Sequence, residues 1–133
     1  MRVFLDTDVL LDFALAREPH FAASTKLMEW ASGHPGQCAI AWHTLANLNY
    51  ITRGKVSGFI RDLLDFVEVA RTGREQMMAA LAMEFDDLED AMQVASAVLF
   101  GSQMIVTRNV RDYKRSPIKA VTPAEALKVL GLR

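Results

Sequence analysis

Three of the 16 acidic residues in this 133-residue chain sit where a solvated helix face does not account for them. They are Asp6, Asp90 and Asp112. Asp6 follows the apolar run Arg2 to Leu5 and precedes Thr7, Asp8 and the helical pattern of Val9, Leu10, Phe13 and Ala14. A strand that feeds a helix leaves its last residues at the carboxyl edge of a sheet, where open α/β sheets bind ligands. Ionised carboxylates are costly to desolvate, and Asp6 and Asp8 repel each other, so a cation is their natural partner. The alternative is capping, with Asp8 as an N-cap and Asp12 as a favourable first-turn acid. Asp90 lies in the first turns of a helix whose other face is small and apolar. Asp87, three residues earlier, either caps that helix or points to the same side. Asp112 lies in the loop after the strand MIVT. In a parallel sheet such loops and helix starts can meet at one edge. A few carboxylate oxygens completed by water and phosphate suit Mg²⁺ or Mn²⁺. Zinc does not fit, because His20, His34 and His43 are isolated and Cys38 is the only cysteine.

The loop after MIVT adds polar and basic groups. Thr107 and Asn109 come directly off the strand and either orient a carboxylate or water or make an Asx-type turn. Arg108, Arg111, Lys114 and Arg115 form the densest basic cluster of the chain, suited to holding a phosphate backbone beside a metal. Tyr113 packs on the core or offers a face to a base, packing being favoured. Asp6-Thr7-Asp8 also fits the D-x-D pattern of haloacid-dehalogenase-type phosphatases, but Val9-Leu10 stand where Gly-Thr usually follows.

The elements that must position these groups follow from hydrophobic period and punctuation. Helices are expected over Phe21–Ser32, His43–Arg53, Val56–Leu64 and Leu88–Phe100. Strands are expected at Cys38–Ala41, Met104–Thr107 and Lys119–Val121. The segment DFVEVA is a strand or the tail of the preceding helix, with the strand favoured. Thr72-Gly73-Arg74-Glu75 and Thr122-Pro123-Ala124-Glu125 read as capping boxes. Met77, Met78 and Met83 read as core fill, and Trp30 and Trp42 as core or interface anchors. Strands and helices alternate throughout, which predicts one α/β domain over residues 1–133 with a mostly parallel sheet between helical layers. The net charge of −1 excludes a uniformly basic surface, though a local basic patch is enough for nucleic acid. A single cysteine points to a reducing, cytoplasmic setting. No signal peptide is expected, since Asp6, Asp8 and Asp12 break the apolar N-terminus. No apolar run is long enough for a bilayer.

The segments VFLDTDVLLD, DLEDAMQVASA and MIVTRNVRDY, in this order, resemble the PIN-domain nucleases, a family that includes the VapC-type toxins of bacterial toxin–antitoxin pairs. The resemblance spans residues 3 to 113. It implies a three-layer α/β/α sandwich and an endoribonuclease using Mg²⁺ or Mn²⁺. On this basis Asp6, Asp90 and Asp112 are the principal metal ligands and Asp87 a supporting member; among these acids Asp87 is also the candidate catalytic base that accepts a proton from the attacking water. Asp8, Asn47, Thr107 and Asn109 support the site, and Arg108, Arg111, Lys114 and Arg115 bind RNA. An antitoxin partner and a homodimer are also implied. One position departs from the pattern: in TLANLNYI, Asn47 stands where the family usually carries a Glu. Asn ligates through its carbonyl oxygen but brings no charge. A catalytically weak or inactive RNA-binding module is the alternative function.

Overall fold

The three central strands of this chain bury side chains on both sides of the sheet. In the computed structural model, which describes residues 1–132, the first strand is β1 (Val3–Leu5). The last position of the expected 1–133 domain lies outside the described residues. Val3 and Leu5 join one hydrophobic cluster and Phe4 joins another. The same alternation holds in β2 (Cys38–Ile40), where Cys38 and Ile40 face one way and Ala39 the other. In β4 (Met104–Val106), Met104 and Val106 face away from Ile105. Strands buried on both faces belong to parallel sheets covered by helices. The remaining strands are β3 (Val67–Val69) and β5 (Ala120–Val121). DFVEVA therefore contains a strand.

The five strands run parallel in the order β3-β2-β1-β4-β5. Helices α1 (Thr7–Ala14), α2 (Phe21–Gly33), α3 (Trp42–Ile51), α4 (Ser57–Leu63) and α7 (Pro123–Val129) supply Leu10, Leu27, Leu48, Leu63 and Leu127 to one cluster. On the opposite face α6 (Leu88–Phe100) lays Val94 and Ala97 over Phe4, Ala39 and Ile105, and α5 (Arg74–Ala82) packs on α6 through Ala80. The result is the expected three-layer α/β/α sandwich. Right-handed crossovers explain the two layers. The chain first steps outward from β1 to β2 and β3, then returns past β1 to β4, so its helices change face. Between β1 and β4 the strand order reverses, and a crevice opens there at the carboxyl ends.

Local sequence sets the helix starts. Asp6 caps α1 by accepting from Thr7 N at 2.7 Å, and Asp87 caps α6 by accepting from Glu89 N at 2.8 Å. Thr122 caps α7 in front of Pro123. The cap of α5 lies one residue later than Thr72: Gly73 N donates to Gln76 Oε1 at 2.8 Å, so the long amide side chain closes the box. Gly101, at φ 78°, ends α6 in the left-handed region that glycine enters without strain. Because α5 packs on α6 through its Ala80 face, Met77 and Met78 are exposed rather than core fill, whereas Met83 packs against two of the clusters as expected. Trp42 is 69% exposed at the start of α3 and is no core anchor. Cys38 is buried. No helix among the described residues is long and apolar enough to cross a membrane.

Phe4 is fully buried at the centre of the sheet. Phe4→Ala is expected to lower unfolding free energy by about 3–5 kcal/mol. Urea denaturation checks this; a loss below about 1 kcal/mol would place the core elsewhere.

Candidate functional site

Asp6 ends β1 with its carboxylate turned into the crevice between β1 and β4, and it is 9% exposed. Four donors from four parts of the chain meet it. Oδ1 accepts from Thr7 N at 2.7 Å and from Gln93 Nε2 at 2.8 Å. Oδ2 accepts from Thr107 Oγ1 at 2.8 Å and from the Tyr113 hydroxyl at 3.2 Å. Burial pushes the Asp6 carboxyl above its ordinary range, and the hydrogen bonds from Thr107, Thr7 and Tyr113 oppose that rise. Behind it, Thr44 Oγ1 lies 2.9 Å from Thr7 Oγ1 and accepts a long bond from Gln93.

Asp90 approaches from the first turn of α6. The Tyr113 hydroxyl lies 3.2 Å from Asp90 Oδ1, so one phenol touches both carboxylates. Desolvation, followed by the charges of Asp87 and Asp6, pushes Asp90 up to about 6. Asp8 is pushed up to about 7, by burial first and by Asp6 second. Its Oδ2 accepts from Arg108 N at 3.0 Å and Asn109 Nδ2 at 3.4 Å, while Oδ1 is buried without a partner. These acids, with Asn47, His43 and Gln93, line a cleft of about 250 Å³. Gln93 Oε1 and His43 Nε2 are likewise buried without partners there. Burial lowers the His43 pKa, so the ring is neutral near neutrality.

Asp112 and Asp87 face a neighbouring cleft of about 460 Å³, with Phe85, Arg111, Lys114 and Arg115. Asp90 lines both clefts. The geometry therefore places Asp6, Asp8, Asn47, Asp90 and Asn109 around one cleft and puts Asp112 and Asp87 in the next. Among the described residues, no three His, Cys, Asp or Glu side chains are close enough to hold one ion. The basic residues also separate. Arg108 Nε donates to Asp12 Oδ2 at 2.7 Å, and Arg17 Nε to Asp12 Oδ1 at 2.9 Å. Asp12 is fully buried, so it is the anchor of an ion-pair triad rather than a solvated first-turn acid. The Arg108 guanidinium is thus engaged inside the fold. Arg115 donates to Glu84 O, while Arg111 and Lys114 are exposed beside the larger cleft.

The residues that sequence reasoning missed are Gln93, Thr44 and the Tyr113 hydroxyl. Gln93 carried a signal: it stands three residues after Asp90, as a polar side chain in an otherwise apolar stripe. Tyr113 packs on the core as expected, but its ring position alone did not show where the hydroxyl points.

The family model for the PIN domain matches residues 2–111. The chain belongs to the PIN domain family. The match takes in Asp6, Asn47, Asp90 and Asn109, and Asp112 is the next residue beyond it. Among solved structures, a toxin–antitoxin complex from Klebsiella pneumoniae shares 23% identity at a TM-score of 0.68, covering 92% of this chain and 98% of that chain. VapBC2 from Rickettsia felis, bound to a DNA fragment from its promoter, shares 17% identity at 0.67, and covers 92% and 98%. FitAcB from Neisseria gonorrhoeae shares 12% identity at 0.65 with the same coverage. These likenesses are of fold. No curated protein matches the chain.

The donors of this PIN domain fit a hard divalent cation. Mg²⁺ is commonly held by one or two carboxylates with water and phosphate completing its shell. Asp6 and Asp90 offer two carboxylates linked through one hydroxyl, and the unpartnered oxygens of Asp8 and Gln93 lie in the same cleft.

Two measurements follow. Asp8 and Asp90 titrate at about 7 and about 6 in the folded protein, against 3.8 for a free carboxyl. Between these values the two acids hold more protons in the folded state than in the unfolded chain, so their contribution to stability falls as pH rises through that window and outweighs the opposite contribution of the single His43. Without divalent metal, the melting temperature is expected to be higher at about pH 5 than at about pH 7.5, and Asp8→Asn to reduce the difference. A rise with pH that Asp8→Asn leaves unchanged contradicts this. Separately, Arg108→Ala leaves the buried Asp12 with one partner and is expected to cost roughly 1–3 kcal/mol. Arg111→Ala and Lys114→Ala should stay within about 0.5 kcal/mol of the parent in urea unfolding; equal effects at all three positions would contradict the assignment of Arg108.

Proposed function

We propose that this PIN domain is a Mg²⁺- or Mn²⁺-dependent endoribonuclease, the toxin half of a type II toxin–antitoxin pair. The observation that carries the reading is the pair formed by buried Asp6 and half-buried Asp90 through Tyr113, at the carboxyl edge of the sheet and next to a cleft with exposed cations.

Asp6 and Asp90 would hold the ion. When bound, it supplies a Lewis acid that lowers the pKa of a coordinated water and offsets charge growing on the phosphate. The remaining work falls to the chain. Thr7, Gln93 and Thr107 keep the Asp6 carboxylate in one orientation. Asp8, Asn47 and Asn109 line the approach to it. Arg111 and Lys114 hold phosphates flanking the scissile one, with Arg115 on the same rim. Asp87 lines that cleft and takes the proton from the attacking water, with Asp112 beside it as a further acidic member. An acidic pocket repels a polyanion, so the cations on the rim and an ion between the acids are both needed for RNA to settle there.

The Klebsiella pneumoniae structure described as a toxin–antitoxin complex supports an antitoxin partner here. An antitoxin side chain bearing a guanidinium would meet the carboxylates with charge-assisted bonds. The exposed Trp42 and Met78 offer apolar contact for a homodimer. Use of RNA and action in the cytoplasm are part of the same proposal.

One observation favours a second reading, an RNA-binding module without cleavage. Asn47 brings no charge to the cleft, and no three acids cluster within reach of one ion among the described residues. Purified protein with Mn²⁺ or Mg²⁺ and single-stranded RNA separates the two. The nuclease reading expects cleavage that chelator abolishes and that Asp6→Asn with Asp90→Asn reduces to the metal-free background. RNA bound but left intact across both metals, or cleaved equally by the double variant, would overturn it.

A further inference from the structure

We propose that the Tyr113 hydroxyl stands in the cation position between Asp6 and Asp90 and gives way when the ion binds. This rests on the proposed metal site. It assigns a positioning role to a residue that the mechanism above does not use.

A carboxylate offers about four acceptor positions. All four of the Asp6 positions are matched by donors, at 2.7, 2.8, 2.8 and 3.2 Å. An ion reaches Asp6 only if one donor leaves. Thr7 N is a backbone group fixed by the start of α1, and it makes the shortest bond. Gln93 and Thr107 each bond to Asp6 at 2.8 Å, and Tyr113 is as buried as they are, so bond length rather than burial separates the donors. Tyr113 makes the longest of the four contacts. It also divides itself, since its hydroxyl lies 3.2 Å from Asp90 Oδ1 as well. One hydroxyl carries one proton and cannot donate fully to both oxygens, so neither bond is strong.

The place the hydroxyl occupies is the place an ion would take. It touches one oxygen of each carboxylate, which is where a bridging cation must sit. Asp6 and Asp90 would hold the ion through the two oxygens that the hydroxyl now touches. Tyr113 is the last residue of the 3-10 turn Val110–Tyr113, which also carries Arg111 and Asp112.

Tyr113→Phe keeps the ring and its edge contact with Phe85 and removes only the hydroxyl. Mn²⁺ binding is measured by electron paramagnetic resonance of the free ion for wild type, Tyr113→Phe and Asp6→Asn. The dissociation constant of Tyr113→Phe is expected to fall about three- to tenfold, the equivalent of one neutral hydrogen bond no longer broken. In wild type, Mn²⁺ should also perturb the near-ultraviolet tyrosine absorption, and Tyr113→Phe should lack that change. The chain has two tyrosines, and Tyr50 is 83% exposed, so the signal belongs to Tyr113. Equal or weaker binding by Tyr113→Phe would overturn the proposal, weaker binding meaning that the hydroxyl is itself a ligand. If wild type binds and Asp6→Asn does not, that failure leaves the metal site standing. If wild type and both variants fail to bind alike, the metal site and the proposal fall together.

Discussion

Asp6 is a carboxylate taken almost wholly out of water at the end of the central strand. Unpaired, such a group is strongly disfavoured. It is tolerated because donors arrive from α1, α6, the end of β4 and the turn after it. Three of those bonds reach Asp6 from far along the chain, from Gln93, Thr107 and Tyr113, which lie 87, 101 and 107 residues away. The fold must be formed for the site to exist, and the site constrains how α6 and the loop after β4 can pack.

The topology supplies the opening. Reversal of strand order between β1 and β4 leaves their carboxyl ends uncovered. Small residues let α6 come close enough to use that opening: Ala91, Ala95 and Ala97 lie against α5 and the sheet, which brings Asp90 and Gln93 of the same helix to Asp6. On the other side of the sheet, buried Asp12 draws Arg108 inward and fixes the root of the loop that carries Asn109 and Tyr113. The acids left facing one another have raised pKa values because burial and mutual repulsion both oppose their charge. Such a cluster stores an electrostatic cost that a cation relieves.

The fold was largely legible because its signals are local. Apolar runs marked β1, β2 and β4, and Asp87, Thr122 and Gly101 punctuated α6 and α7 where capping chemistry says they should. Misreadings arose where tertiary packing decides. The residues Met77 and Met78 have a core-like composition, but α5 lies on the outside of α6 and needs only its Ala80 face. Thr72 looked like a cap until Gln76 took the bond. For the site, the strand ends announced Asp6 and Thr107, and the helix start announced Asp90. What sequence could not show was direction. Asp112 is adjacent to Tyr113, yet the acid faces the outer cleft while the phenol turns inward between two carboxylates. Arg108 is likewise one of four neighbouring cations, and only the position of Asp12, far away in the chain, separates it from the others.

In the proposed site Asp6 and Asp90 share one divalent ion. A crystal soaked in Mn²⁺ and recorded at the manganese absorption edge tests it directly. The account requires an anomalous peak between the Asp6 and Asp90 carboxylates, within about 2.0–2.4 Å of an oxygen of each. A peak confined to the outer cleft at Asp87 and Asp112, or none at either carboxylate, would contradict it.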